Sequence, residues 1–102
     1  MQDINFILEN IVFLELKRRG YIVTVGKYGE NEVDFIAERQ SEQIYIQVCY
    51  ILATPETVER EFGVYSNIRD NYLKYVLSMD EFDMSREGII HQNIREFFLQ
   101  VD

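Results

Sequence analysis

The nine residues from 44 to 52, IYIQVCYIL, constrain the fold more than any other stretch of the chain. Apolar side chains occupy both alternating sets of positions, whereas a strand with one solvent-exposed face has them in only one set. Such a stretch is expected to be a central strand of a sheet that is covered on both sides. We therefore predict an α/β fold with helices packed on a sheet.

The region after this strand has the signals of a crossover connection. Thr54 suits the N-cap of a helix and Pro55 suits its first position. This helix is expected to bury the side chains of Val58, Phe62 and Tyr65. Residues 72–79, YLKYVLSM, are predicted to form the next strand. Because strand–helix–strand crossovers join parallel strands, we expect the two strands to be parallel with a right-handed connection.

The rest of the chain completes one domain, residues 1–102. The other predicted elements are a helix Ile4–Arg19, strands Tyr21–Val25, Glu32–Arg39 and Gly88–His91, and a helix Asn93–Leu99. The segments KYGENE, with Gly29 and Asn31, and QSEQ are predicted turns. The order α-β-β-β-α-β with a β-α tail predicts a mixed sheet flanked by helices.

The first predicted helix is apolar around more than half of its circumference. The apolar residues that show spacings of three and four are Ile4, Ile7, Leu8, Ile11, Val12, Phe13, Leu14 and Leu16. We therefore expect this helix to be buried on more than one side. Asp3 suits its N-cap and Gly20 suits the position after its end.

Composition excludes several classes of protein. With 47% apolar residues the chain is not disordered, and its longest apolar runs are too short to span a membrane. A single cysteine, Cys49, cannot form an intrachain disulfide, and no signal peptide is recognisable. These features predict a cytoplasmic protein.

The charge balance argues against strong binding of nucleic acid by this domain alone. The formal net charge is −8, and the ten Lys and Arg residues are scattered. The local basic cluster consists of Lys17, Arg18, Arg19 and Lys27. A domain that neutralises phosphates usually carries a basic face. The acidity favours solubility or a basic protein partner instead.

A possible site lies where two predicted strands are neighbours. Alternation places Val33, Phe35 and Ala37 on one face of the second strand, and Glu32, Asp34, Ile36 and Glu38 on the other. On the third strand it places Ile44, Ile46, Val48 and Tyr50 on one face, and Tyr45, Gln47, Cys49 and Ile51 on the other. Symmetric pairing about QSEQ brings Asp34 close to Gln47 and Cys49. The Asp34 carboxylate then meets a metal, a basic residue or water, since an unpaired buried charge is costly.

Six segments, in order, resemble a known family. They are LENIVFLELKRRGY, VGKYGENEVDFIAE, IYIQVCY, TVEREFG, DNYLKYVLSMDEF and EGIIHQNIREFFL. Together they cover nearly the whole chain and resemble the C-terminal domain of a prokaryotic family of AAA+-type ATPases of unknown role. That domain has the PD-(D/E)xK, or restriction-endonuclease-like, fold. The resemblance implies a detached domain, or part of a longer ATPase, whose partner is an AAA+ module in cis or in trans.

The same resemblance implies a metal-dependent site that is altered here. In active members a helix glutamate, a strand-two aspartate and a strand-three glutamate bind magnesium, and a strand-three lysine assists the attacking water. By position, Glu9 and Asp34 match the first two acids and would bind magnesium or manganese weakly. Gln47 replaces the third acid and Cys49 replaces the lysine. A neutral amide is a poor magnesium ligand, and a thiol offers no ammonium group.

Three hypotheses follow. The first is a catalytically degenerate accessory domain that binds a protein or nucleic acid partner. The second is an active magnesium- or manganese-dependent deoxyribonuclease that uses Glu9, Asp34 and Gln47 on DNA. The third is a dimerisation module that uses exposed aromatics among Tyr65, Tyr72 and Tyr75.

Plainer interpretations apply to the same residues. Free cysteines are among the most buried residue types, which predicts that Cys49 is a small core hydrophobe. His91 has no motif around it and is expected to be structural or exposed. Glu9 is alternatively a solvated residue or a partner of Lys17 or Arg18. The segment VEREFG is expected to be a surface charge pattern with Phe62 inward, and SMDEFD lacks the spacing of a calcium loop.

Overall fold

The computed structural model describes residues 3–28 and 31–100. These residues form a five-stranded mixed sheet and three helices. The elements are α1 (Ile4–Arg18), β1 (Ile22–Tyr28), β2 (Asn31–Arg39), β3 (Glu42–Val48), α2 (Pro55–Gly63), β4 (Leu73–Ser78), β5 (Ile90–Asn93) and α3 (Ile94–Leu99). The predicted order of helices and strands is confirmed.

The strands lie in the sheet in chain order, β1-β2-β3-β4-β5. The first two pairings are antiparallel and the last two are parallel. The central position of β3 and its parallel pairing with β4 are as the sequence predicts. Thr54 caps α2 by accepting a hydrogen bond from the Thr57 N–H at 3.1 Å, and Pro55 begins the helix. Thr54 and Pro55 thus begin the helix of the crossover that joins β3 to β4, as the sequence predicts.

Two hydrophobic cores lie on opposite faces of the sheet. The α1-side core contains Leu8, Val12, Leu16, Tyr21, Phe35, Ala37, Ile44, Ile46, Val48, Leu77, Ile94 and Phe97. The α2-side core contains Val33, Tyr45, Cys49, Leu52, Phe62, Tyr65, Ile68, Val76 and Ile89. Helices α1 and α3 thus cover one face and α2 covers the other, which explains why β3 is apolar on both sides.

Helix α1 is buried along one side, not several. Asp3 caps it by accepting a hydrogen bond from the Asn5 N–H at 2.9 Å, and Gly20 follows its end with φ +90°. Leu8, Val12 and Leu16 are the buried residues of α1. The opposite face remains apolar and exposed, so the expectation of burial on more than one side is wrong for the chain as described.

Several strand ends differ from prediction. β1 continues through Gly26 to Tyr28, and Gly29 of the predicted KYGENE turn lies outside the described residues. β3 ends at Val48, although the Cys49 N–H still donates to the Leu77 carbonyl at 2.9 Å. The short last strand is shifted toward the C-terminus because Gly88, at φ +80°, lies in the turn before it.

A bulge in β2 breaks the alternation on which the predicted faces depend. The pairs on either side of it are Thr24 with Ile36 and Gly26 with Val33. Asp34 and Phe35 therefore lie opposite a single residue of β1. Val33 packs in the α2-side core, whereas Phe35 and Ala37 pack in the α1-side core. The prediction that these three residues share a face is wrong because it assumed an uninterrupted strand.

Candidate functional site

The candidate site lies where β2 and β3 separate. Their ladder ends with Phe35 opposite Ile46. Beyond that pair, the Asp34 N–H donates to Oε1 of Gln47 at 2.6 Å. The Val48 N–H donates to Oδ2 of Asp34 at 2.8 Å. Two side chains therefore replace ladder partners, and the predicted proximity of Asp34 and Gln47 is confirmed.

Helix α2 supplies a further carboxylate to this site. Nε2 of Gln47 donates to Oε1 of Glu61 at 3.2 Å. The Glu61 side chain is only 13% exposed, and its other oxygen lies 3.4 Å from Nε of the exposed Arg60. Gln47, itself buried, thus bridges a backbone amide on β2 and an acid on α2. The amide group is suited to this place because it accepts on one side and donates on the other.

The N-terminal half of α1 reaches the same region. Oδ1 of Asn5 accepts a hydrogen bond from the Tyr50 N–H at 2.8 Å, which fixes the first turn of α1 beside the end of β3. Glu9 is one turn further along the same side of the helix. The charges of Asp34 and Glu61 both act on Glu9. Glu9 is therefore within electrostatic range of Asp34, and its role beside Asp34 in one site stays a prediction.

Electrostatics make this an unfavourable place for negative charge. Burial is the main cause that raises the pKa of Asp34, and the charge of Glu61 adds to it, while the hydrogen bond from Val48 opposes it. Burial likewise raises the pKa of Glu9, and the charge of Asp34 is the next cause. Carboxylates near one another in a partly dry setting resist joint ionisation.

Cys49 is a buried thiol in the α2-side core. It is 5% exposed, and its Sγ lies 3.4 Å from the carbonyl oxygen of Ile51, to which it donates. Burial raises its pKa, and the charge of Glu61 raises it further. A raised pKa favours the neutral thiol near neutral pH, and a thiol has no ammonium group. The interpretation as a small core residue is confirmed.

The donor set does not fit a magnesium ion as the residues stand. Among residues 3–28 and 31–100, no three His, Cys, Asp or Glu side chains are arranged to hold a metal ion. Gln47 points its NH₂ group at Glu61, so a hydrogen bond takes the place that a cation would need. One Asp34 oxygen is already occupied by the Val48 N–H. Magnesium requires several oxygen ligands in near-octahedral array, and this arrangement does not provide them.

Sequence reasoning missed Glu61, because VEREFG was interpreted as a surface charge pattern. Phe62 does point inward, but the preceding acid is also largely enclosed. A usable signal is present: Glu61 follows Val58 by three residues and precedes Tyr65 by four, so it shares a helix face with two members of the predicted inner stripe. The predicted inner stripe itself is confirmed in part. Phe62 and Tyr65 are buried, but Val58 is only partly buried and Tyr65 lies beyond the end of α2.

A second polar cluster joins the ends of β4 and β5. Oγ of Ser78 lies 2.7 Å from Oδ2 of Asp80 and 2.7 Å from Nε2 of His91. The Met84 N–H donates to Nδ1 of His91 at 3.0 Å, so both ring nitrogens of His91 have polar neighbours. Of the two alternatives expected for His91, exposure is wrong, because the side chain is buried.

The aromatic residues predicted for dimerisation do not form one surface. Tyr65 is 3% exposed, and its hydroxyl donates to the Tyr75 carbonyl at 2.7 Å. Tyr75 is partly buried against the α1-side core, and Tyr72 is the exposed member of the three. Within the described residues, no helix is long and apolar enough to cross a membrane.

The chain is similar to parts of longer prokaryotic proteins. An uncharacterized protein of Haemophilus influenzae is 38% identical over 94 residues, which is 91% of this chain and 23% of that protein. An uncharacterized protein of Methanocaldococcus jannaschii is 43% identical over 63 residues, which is 58% of this chain and 14% of that protein. No family model matches the chain. The chain thus spans less than a quarter of either relative.

Proposed function

We propose that the chain is a non-catalytic, nuclease-fold accessory domain of an AAA+-type ATPase, and that it binds a basic protein partner. The observation that carries this proposal is the role of Gln47. Its amide bridges the Asp34 backbone and the Glu61 carboxylate, so the position where a catalytic acid is expected serves the internal structure.

The second altered position supports the same proposal. Hydrolysis of a phosphodiester by this fold needs a cationic group beside the attacking water. Cys49 is buried, and burial favours its neutral thiol; the charges that act on it are those of Glu61, Arg60 and Asp80. The Cys49 side chain itself offers no cation to polarise water, which supports a non-catalytic domain.

The charge of the site favours a cationic partner over a nucleic acid. Gln47 links Asp34 and Glu61, the charges of both acids act on Glu9, and burial already raises the pKa of Glu9 and Asp34. A Lys or Arg side chain brought to them would stabilise their ionised forms. A phosphate backbone would meet repulsion here and across a chain of net charge −8.

The size of the relatives supports the ATPase context. Each relative is several times longer than the matched region, which leaves room for a separate motor module. This chain contains no phosphate-binding glycine motif of its own. ATP hydrolysis therefore belongs to another module, acting in cis or in trans.

A nuclease assay tests the absence of catalysis. The chain is incubated with single- and double-stranded DNA and RNA, with magnesium and then with manganese. We expect no cleavage from the natural sequence. Cleavage gained by the double variant Gln47→Glu, Cys49→Lys would show that these two positions alone removed the activity. Cleavage by the natural sequence that disappears in Asp34→Ala would overturn the proposal.

A binding assay tests the chemistry of the partner. Fluorescence anisotropy is recorded with labelled oligo-lysine, oligo-arginine and DNA probes of equal length. We expect salt-dependent binding of the basic peptides that weakens several-fold in Asp34→Asn, Glu61→Gln, and no comparable DNA binding. The matched control removes two exposed acids, Glu81→Gln with Glu87→Gln. DNA binding that exceeds peptide binding would favour a nucleic acid partner instead.

A further inference from the structure

The outer face of α1 carries an exposed apolar stripe. Its members are Ile4, Ile7, Ile11 and Leu14, which are 44%, 37%, 39% and 64% exposed. They are spaced by three, four and three residues, the alternation that places side chains along one seam of a helix. We refer to these four residues as the outer stripe. Leu8, Val12 and Leu16 face the core on the opposite side, so the outer stripe does not serve the fold of the single chain.

The apolar surface continues beyond the helix. A shallow depression of about 290 Å³ is lined by Ile11 and Leu14 of the outer stripe and by Phe98 of α3. Exposed apolar side chains that occur singly are ordinary, whereas a contiguous group marks a surface that meets a partner. The charged residues Glu15 and Arg18 line the edge of this depression.

The outer stripe is complementary to itself when two copies run antiparallel. In that register Ile4 lies opposite Leu14 of the second copy, and Ile7 lies opposite Ile11. The two-fold axis repeats both contacts. The four residues of each copy therefore form four consecutive apolar layers between the two helices. Antiparallel packing also sets the dipoles of the two helices in opposition.

A polar row beside the outer stripe matches in the same register. Asp3, Asn10 and Lys17 are exposed and lie seven residues apart, so they follow one flank of the stripe. The antiparallel register places Asp3 opposite Lys17 of the second copy, and Asn10 opposite Asn10. If the two helices were parallel, Asp3 would face Leu8 of the second copy and Asn10 would face Glu15. No acid would then lie opposite a base. The charges therefore select the antiparallel arrangement.

We propose that the outer stripe is a homodimer interface, in which α1 packs antiparallel against α1 of a second copy of this chain. The partner is a second copy because one two-fold axis pairs the apolar residues of the outer stripe with each other and also pairs Asp3 with Lys17. An unrelated partner would need no such internal symmetry. The interface lies on the side of α1 that is turned away from Glu9, so dimerisation leaves the candidate site open.

Light scattering of the full chain tests the dimer. We expect a mass of twice the 12.2 kDa chain for the natural sequence, and a monomer for Leu14→Glu, which alters two layers through the symmetry. The matched control is Ile22→Glu on β1, where the side chain is 70% exposed and outside the stripe. Circular dichroism confirms that both variants are folded. A monomeric natural chain at high concentration, or a dimer that persists in Leu14→Glu, would overturn the proposal.

Cross-linking tests the register. Asn10→Cys and Lys17→Cys are treated separately with a short bis-maleimide, with the natural chain as baseline because its Cys49 is buried. We expect Asn10→Cys to form a covalent dimer, since the two copies of residue 10 face each other. Lys17→Cys should not, because its partner position is residue 3. Equal cross-linking of both variants would indicate parallel helices and sink the antiparallel interface.

Discussion

The backbone N–H of Asp34 donates to the side-chain oxygen of Gln47 at 2.6 Å, so an amide completes the ladder where β2 and β3 separate. A glutamate could accept this bond as well. In its ionised form it could not donate to Glu61, which the Gln47 NH₂ group does at 3.2 Å. The position therefore suits a group that accepts on one side and donates on the other, and an amide does both without taking up a proton.

Gln47→Glu should destabilise the protein at neutral pH. The substitution places two carboxylates within hydrogen-bond distance and removes the donor to Glu61. We expect a loss of about 1–3 kcal/mol in the free energy of unfolding, the usual cost of an unsatisfied or repelled buried polar group. Urea titration measures this loss. The exposed turn residue Gln40 provides the control, and an equal loss in Gln40→Glu would show an effect of net charge alone.

Asp34→Asn should stabilise the protein at neutral pH by on the order of 1 kcal/mol. Burial raises the pKa of Asp34 in the folded state, so the folded protein disfavours the charged form. A carboxyl group whose pKa is higher in the folded state than in the unfolded state adds most to the free energy of unfolding below its unfolded pKa. That contribution is lost as the pH rises through the folded-state pKa. The advantage of asparagine should therefore shrink as the pH is lowered. Urea titrations at several pH values measure it, and destabilisation at every pH would contradict the burial argument.

The sequence was sufficient for the fold because its signals are local and repeated. An apolar run on both faces predicts a central strand, and Thr54 with Pro55 predicts the helix of a crossover. Together these two features define the mixed sheet. Asp3 and Gly20 likewise predict the ends of α1 to within a residue.

The site was harder to predict because it depends on register. The proximity of Asp34 and Gln47 follows from symmetric pairing, but the bulge beside Asp34 does not follow from alternation. Gly26 was the available signal, since an isolated glycine within a strand often marks a bulge or a close approach. Glu61 was missed because its charge suggested solvent, although its helical spacing places it on the same face as Val58, and its side chain is 13% exposed.

Gly26→Ala should destabilise the protein through the bulge. A Cβ atom at this position would lie 2.8 Å from Cγ1 of Ile36 and 3.0 Å from the carbonyl oxygen of Val33. The backbone of a hydrogen-bonded strand cannot move away without breaking its pairing. We therefore expect the free energy of unfolding to fall by about 1–3 kcal/mol. Thermal and urea unfolding measure it.

Gly63→Ala is the matched control for that substitution. A Cβ atom there meets nothing within 4 Å, and residue 63 is helical. Alanine should therefore be neutral or stabilising by up to about 1 kcal/mol. If both alanines had the same effect, the crowding around Gly26 would not be its cause.

Glu15→Gln should weaken the attachment of α3 to α1 and remove part of the acid sensitivity of the fold. Hydrogen bonds from Arg18, the largest influence, and from Arg19 lower the pKa of Glu15 from 4.5 to about 2. Arg19 also donates to the Phe97 carbonyl at 2.6 Å and lies 4.4 Å above the Phe97 ring, so the ion pair supports contact between the helices.

The sign of the pH dependence follows from this lowered pKa. A carboxyl group with a depressed folded pKa contributes its stability above the unfolded value and loses it as pH falls through the folded value. The destabilisation by Glu15→Gln, on the order of 1 kcal/mol at neutral pH, should therefore fade between pH 4.5 and about 2. Urea titrations across that window measure it, with the exposed loop variant Glu81→Gln as control. A deficit that stays constant down to the lower limit would show that the charge of Glu15 is not what joins the helices.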